Sequence, residues 1–177
     1  KSNNRWNIIC LRYFNPVGAH DSGLIGENPS GIPTNLMPYI MRVAYHNNIK
    51  PISDNYVNLK IYGNDYKSYD GSCVRDFIHV VDIASGHIAA LNKISKCDES
   101  NYVGFKVYNL GTGEGISVLD LIKKFELINQ VDVPFIIDNR REGDLDVVYC
   151  SNKLANKELE WKSVKSVDDM VRDAWNY

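Results

Sequence analysis

Apolar residues in this chain of 177 residues fall into short runs and helical stripes, separated by clusters of turn-forming residues. Trp6 to Phe14 reads Trp-Asn-Ile-Ile-Cys-Leu-Arg-Tyr-Phe. So nearly continuous a run predicts a strand buried on both faces of a parallel sheet. Asn15-Pro16 ends it, because the residue before a proline avoids helical backbone. Val17 to Pro33 is rich in Gly and Pro and is expected to be loop. Leu36, Ile40, Val43 and Ala44 recur at helical spacing, so Leu36 to Tyr45 is expected to be a helix with Asn35 as its cap. Asn47 to Asn58 is polar, contains Pro51, and reads as a second loop. Leu59 to Tyr62 is a short strand closed by the turn residues Gly63-Asn64-Asp65.

The second half repeats the alternation. Val80 to Leu91 is a helix, with Asp82 in its first turn and Ile83, His87 or Ile88 and Leu91 on one face. Lys106 to Leu110 is a strand ended by Gly111-Thr-Gly-Glu-Gly115. Ser117 then starts a helix to about Leu127, with Asp120 completing a pattern like a capping box. Val133 to Ile137 is a strand, Ser151 starts a short helix, and Ser166 with Asp168 and Asp169 starts a last one through Trp175. Strands alternating with helices give an α/β class. The first strand needs neighbours on both sides, so the chain alone is expected to fold poorly or to pair its open edges with another chain.

The length fits one domain. The net charge of −2, with no strongly basic half, argues against a dedicated nucleic-acid binder. No apolar stretch nears the ~20 residues needed to span a bilayer, so no membrane role is expected. Cys10, Cys73, Cys97 and Cys150 are scattered without a Cys-x-x-Cys pair, which fits free thiols in a reducing, cytoplasmic setting. Lys1 is not methionine, and the expectation is that the natural chain begins upstream.

Two arginines stand out chemically. Arg75 follows a polar loop and precedes an apolar run; its planar fork suits a phosphate, although it could equally pair with Asp76. Arg141 lies in Asn139-Arg-Arg-Glu-Gly-Asp144, a cluster that otherwise reads as a solvated turn. Two arginines on separate loops are able to clamp one pyrophosphate. Asn15 ends a buried strand with an amide that donates and accepts. Tyr62 offers an aromatic face, and Asp144 otherwise reads as a turn residue. His79 and His87 lack the carboxylate or thiol that would complete a metal set, and His20 and His46 fall in expected loops. Gly111-Thr-Gly-Glu-Gly115 follows a strand but lacks the remaining features of a dinucleotide loop, so it reads as a strand-to-helix turn.

In order and spacing, Leu11-Arg-Tyr-Phe-Asn-Pro-Val-Gly-Ala19, Gly31-Ile-Pro-Thr-Asn-Leu-Met-Pro-Tyr39 and Val74-Arg-Asp-Phe-Ile-His-Val-Val-Asp82 resemble the C-terminal portion of the UDP-galactose 4-epimerase family, which are extended short-chain dehydrogenase/reductases. The resemblance runs from about Ile8 to Trp175. It implies an α/β fold in which residues 1–177 form the C-terminal UDP-sugar-binding portion. The strands near 6–14 and 106–110 would be the last of an NAD-binding Rossmann sheet, and the N-terminal NAD-binding domain would be absent from the chain. It implies that the full-length protein interconverts UDP-glucose and UDP-galactose by transient oxidation at C4 with bound NAD, and that it is a homodimer. The family's catalytic Tyr-x-x-x-Lys would lie upstream, since the literal match Tyr102…Lys106 enters a strand; the chain alone would be inactive.

By the same resemblance, Arg75 and Arg141 grip the diphosphate, while Asn15, Asn35 and Leu36 touch the nucleotide sugar. Lys60 and Tyr62 hold the uracil, Asp144 accepts from the ribose, Val148 faces the hexose, and Phe14 lies near the nicotinamide. Thr34, Tyr69 and Phe77 depart from the usual residues, and Tyr45 to Leu59 is longer than the usual connection. Val148 is of middling size where a bulky tyrosine would exclude N-acetyl sugars, so tolerance of UDP-N-acetylglucosamine is expected. The alternatives are another nucleotide-sugar enzyme of the superfamily, a UDP-glucuronate epimerase or 4,6-dehydratase, or a non-catalytic nucleotide-sugar-binding domain.

Overall fold

The computed structural model describes residues 6–97 and 104–177. Its first strand, β1 (Ile8–Tyr13), runs parallel to β6 (Phe105–Leu110), with Ile8 opposite Phe105 and Tyr13 opposite Leu110. Two further parallel pairs join β2 (Asn15–Val17) to β5 (Phe77–His79) and β3 (Leu59–Tyr62) to β8 (Phe135–Asp138). In the last sheet β4 (Val74–Arg75) lies between antiparallel β7 (Ile116–Ser117) and parallel β9 (Val147–Val148). The helices are α1 (Leu36–Asn48), α2 (Val80–Ser95), α3 (Val118–Asn129), α4 (Lys153–Glu158) and α5 (Val167–Asn176), with a 3₁₀ turn at Asp54–Tyr56. The α/β class read from the alternation therefore holds.

Two apolar cores follow from the helical stripes. Ile40, Val43 and Ala44 of α1 meet Leu121, Ile122 and Phe125 of α3 and Met170 and Val171 of α5, over Leu59 and Ile61 of β3. Ile78, Ile83, Tyr108, Leu110, Ala155 and Trp161 form the second, around α2 and β6. Each fully buried large side chain contributes about 1.5–3 kcal/mol. The Trp161 indole donates to the Asp82 carbonyl at 3.1 Å and to the Ser85 hydroxyl at 2.9 Å, so its polar edge is satisfied inside the core.

Several boundaries differ from the pattern for local reasons. Helix α1 continues past Tyr45 to Asn48, so His46 is helical rather than in a loop. Asn48 ties that end down, donating to the Asp132 carbonyl at 2.8 Å and accepting from the Asp132 N–H at 3.1 Å. Strand β8 begins at Phe135; the Pro134 carbonyl still accepts from Leu59 at 2.8 Å, but proline has no N–H to return. Asn152, not Ser151, precedes α4, and its amide donates to the Gly111 and Thr112 carbonyls. The Ser117 hydroxyl caps α3, but the Asp120 carboxylate accepts from the Tyr69 hydroxyl at 2.6 Å instead of closing the box. The complete capping box stands at Ser166 and Asp169, at the head of α5.

The largest correction concerns β1. It is not buried on both faces: Ile8 is 44% and Tyr13 47% exposed, and among the described residues only β6 lies beside it. The continuous apolar pattern records a sheet that these residues do not complete.

Candidate functional site

A cleft of about 580 Å³ opens where the head of α1, strand β3, strand β4 and the loop before α1 converge. Arg75 reaches it from β4, held at the centre of a three-stranded sheet by β7 and β9. Its guanidinium donates to the Leu145 and Val74 carbonyls at 2.8 Å and pairs with the Asp144 carboxylate at 3.4 Å. Arg141 comes from the opposite loop, with its Nε 2.8 Å from the other Asp144 oxygen and its guanidinium 4.9 Å above the Tyr62 ring. One half-buried carboxylate thus holds two guanidiniums at one place, and the trio keeps a net positive charge. The Asp144 bond raises the Arg141 pKa further, so the cation is fixed across the whole physiological range. Arg75 does not pair with Asp76, the alternative its neighbour suggested.

The cleft also gathers Asn15, Asn35, Leu36, Lys60 and Tyr62. Asn15 opens β2, and its backbone N–H is fixed on the Asp76 carbonyl at 2.9 Å. Asn35 occupies the cap position of α1 but forms no side-chain cap bond; its amide donates to Glu27 at 2.9 Å. Lys60 and Tyr62 project from the exposed face of β3 while Leu59 and Ile61 are buried on the other, as the period of two requires. Lys60 pairs with Asp138 across the strand pair at 3.2 Å. Three expected residues do not line the cleft. Asp144 acts on it through the arginines, and Val148 lies in β9 opposite Arg75. Phe14 is half-buried between β1 and β2, with its N–H on the Leu110 carbonyl.

Sequence reasoning missed part of the wall. Tyr39, Asn55, Tyr56 and Asn58 line the same cleft, the last three from the stretch expected to be a surface loop. The rings of Tyr39 and Tyr56 stand 6.1 Å apart. A polar stretch without periodicity gives no hint that its residues face a cavity.

Other candidates resolve into structural roles. The Asp76 carboxylate, 0% exposed, accepts from the Thr112 N–H at 2.8 Å, the Thr112 hydroxyl at 2.7 Å, the Gly113 N–H at 3.0 Å and the Cys150 N–H at 3.2 Å. The glycine turn thus closes around the chain's own carboxylate. His79 is buried with Nε2 3.2 Å from Asp173, and His87 meets the Tyr13 hydroxyl at 2.6 Å. Among the described residues no three metal-ligating side chains come together, and no helix is long and apolar enough to cross a membrane. Cys10, Cys73, Cys97 and Cys150 are free thiols, and burial beside Asp76 pushes Cys150 up to about 12. Tyr102 lies outside the described residues, whereas Lys106 is in β6.

The profile of the NAD dependent epimerase/dehydratase family matches residues 1–111. A UDP-glucose 4-epimerase of Cyamopsis tetragonoloba is 49% identical over 177 residues, covering 100% of this chain and 47% of its own length. A crystal structure of a UDP-glucose 4-epimerase from Stenotrophomonas maltophila, with NAD and formylated UDP-arabinopyranose, superposes with a TM-score of 0.87 at 45% identity, over 98% of this chain and 48% of that one. Another from Bifidobacterium longum, in complex with NAD+ and UDP, gives 0.85 at 44% identity, over 99% of this chain and 48% of that one. The chain therefore spans about half the length of these relatives. The expectation that the N-terminal NAD-binding domain is absent from the chain needs correction, because the family's profile already matches from the first residue. The shares covered measure length and not position, so the expectation of a C-terminal portion draws nothing from them.

Proposed function

The chain belongs to the NAD-dependent epimerase/dehydratase family, and we propose that it holds the UDP-sugar in a UDP-glucose 4-epimerase that interconverts UDP-glucose and UDP-galactose. The observation that carries this reading is Asp144 holding Arg75 and Arg141 together at a cleft that also presents an aromatic face and four asparagine side chains. Two planar forks match a diphosphate, and their bonds to its oxygens are charge-assisted. Tyr62 offers its ring to the uracil once the phosphates draw the Arg141 guanidinium away from it, and Lys60 flanks the same base. Asp144 accepts from the ribose hydroxyls. Asn15 and Asn35 hold the sugar side, beside Leu36.

This grip on the nucleotide serves catalysis remotely. Binding energy gathered at the UDP holds the hexose at the reacting centre while leaving it free to turn. Bound NAD would supply reversible hydride transfer at C4 of the hexose, with Phe14 beside its nicotinamide. Phe14 and Asn15 follow the carboxyl end of β1, where ligands of open parallel sheets bind. The half-buried Phe14 ring is thus suited to pack beside the nicotinamide. The glycine turn after β6 does not hold the cofactor's phosphates, since Asp76 occupies its N–H groups. The sequence holds no Tyr-x-x-x-Lys on a helix, so the proton-transfer pair belongs to the remainder of the whole protein. Val148 leaves more room than tyrosine at the hexose, so UDP-N-acetylglucosamine is also a substrate. Absence of its turnover by the whole protein would overturn that part alone.

Calorimetry of UDP against the whole protein, with Arg75→Ala and Arg141→Ala combined, tests the reading. Losing two charge-assisted contacts of about 1.5–3 kcal/mol each should weaken UDP by at least about a hundredfold. Undiminished UDP binding by the double variant would sink it.

A further inference from the structure

The stretch between α1 and β3 is built as part of the cleft. One face of α1 holds it. Tyr39 packs its ring 6.1 Å from that of Tyr56. Arg42 donates to the Tyr56 hydroxyl at 2.7 Å, to the Gly31 carbonyl at 2.6 Å and to the Pro29 carbonyl at 2.7 Å. His46 Nδ1 accepts from the Ile52 N–H at 3.1 Å, and Asn47 donates to the Val57 carbonyl at 3.1 Å. Positions 39, 42 and 46 recur at three and four and share a helix face, with 47 at its border. That face fixes the stretch 52–58 and, through Arg42, bolts it to the loop at 29–31.

Position along the cleft assigns its role. Strand β3 ends at Tyr62, beside Arg141. Asn58 stands directly before that strand, in the same cleft as Lys60 and Tyr62, which the reading above gives to the base. A nucleoside base there needs a flat apolar wall with donors and acceptors at its edge. Tyr56 supplies the wall, and Asn55 and Asn58 supply amides. Resting on the UDP-sugar reading above, we propose that residues 52–58 form a specificity element for the nucleoside end of the ligand. Tyr56 and Asn55 contact that end, and Arg42 acts as the positioning residue that holds them.

The test uses the whole protein and three probes, UDP, CDP and inorganic pyrophosphate, each titrated by calorimetry. Tyr56→Ala should weaken UDP about tenfold, in line with a lost aromatic contact of about 1–1.5 kcal/mol, and narrow the preference for UDP over CDP. Arg42→Gln and Tyr56→Phe should weaken UDP about threefold, near the value of one hydrogen bond. Pyrophosphate should bind all three variants as it binds the wild type, whereas Arg75→Ala should lose both UDP and pyrophosphate. Thermal melting separates Arg42→Gln from simple unfolding, and Tyr56→Phe changes only one hydroxyl. Wild-type UDP affinity and selectivity in Tyr56→Ala would overturn the specificity element and leave the arginine grip standing. Loss of pyrophosphate in parallel with UDP would also overturn it, by showing a general collapse of the cleft. Failure of the wild type to bind either probe would overturn the UDP-sugar reading itself.

Discussion

Asp76 shows how much one buried side chain organises. Its carboxylate receives four hydrogen bonds from the strand-to-helix turn and from Cys150, at full burial. Replacement by alanine leaves three backbone N–H groups without a partner, at about 1–3 kcal/mol each where no water enters. We expect Asp76→Ala to lose at least about 3 kcal/mol in urea denaturation, and a loss below 1 kcal/mol would contradict this account. His79 carries a pH signature. Burial lowers its pKa more than the Asp173 contact raises it, and Lys165 also opposes the charge. Below the ordinary histidine value of about 6.5, the unfolded chain therefore binds a proton that the folded chain refuses, and stability falls on acidification. Urea midpoints should drop between about pH 7 and pH 5.5 in the wild type and less so in His79→Gln; equal drops would refute the assignment. That Arg75 and Arg141 would meet at one place was legible in the sequence as two arginines on separate loops. Their bridging through Asp144 was not, since the resemblance gave Asp144 only as an acceptor for the ribose, and neither was the embrace of Asp76 by a glycine turn, since 36 positions separate Asp76 from Thr112.

Among the elements, two serines at comparable positions do different work. Ser166 heads α5 at the surface, in a reciprocal box with Asp169. Ser117 heads α3 fully buried, accepting from the Asp120 N–H while donating to Asp70. Ser166→Ala should cost about 1 kcal/mol, the usual price of a cap. Ser117→Ala should cost more, about 2–3 kcal/mol, because the half-buried Asp70 oxygen also loses its donor. Paired denaturation curves check the order, and a smaller loss for Ser117→Ala would contradict it. Helix α1 was readable because its stripe repeats every three or four residues, and α5 from the cap residues at its head. Helix α2 was readable as a helix but not by its face, because Ile88 and Leu91 are exposed and Ile83, Gly86 and Ala90 are buried instead. The stretch 52–58 was not, because its conformation is written in the side chains of α1 rather than in its own pattern. Its tyrosine reads as loop until Arg42 is seen to reach it.

For the whole molecule, the decisive fact is the unfinished pair β1–β6. Apolar residues remain exposed on it, Ile8 at 44%, Tyr13 at 47% and Phe105 at 66%, and among the described residues neither strand has a second neighbour. A strand edge with free N–H and C=O groups beside apolar side chains is a template for further pairing. The sequence pattern foresaw strands that need neighbours but misread them as already buried, since periodicity reports what a strand requires and not what surrounds it. The relatives, about twice as long, have chain enough to cover this sheet. The 177-residue chain produced by itself should therefore self-associate at micromolar concentration, seen by light scattering after size-exclusion chromatography. Ile8→Lys with Phe105→Lys should shift it toward monomer by placing charges along the open pair, without touching the cleft. The same substitutions in the whole protein should instead destabilise it, because there the charges would be buried against the added sheet. A monomeric wild-type chain, or a whole protein indifferent to both lysines, would show that this surface is meant for solvent and that the sheet ends at two strands.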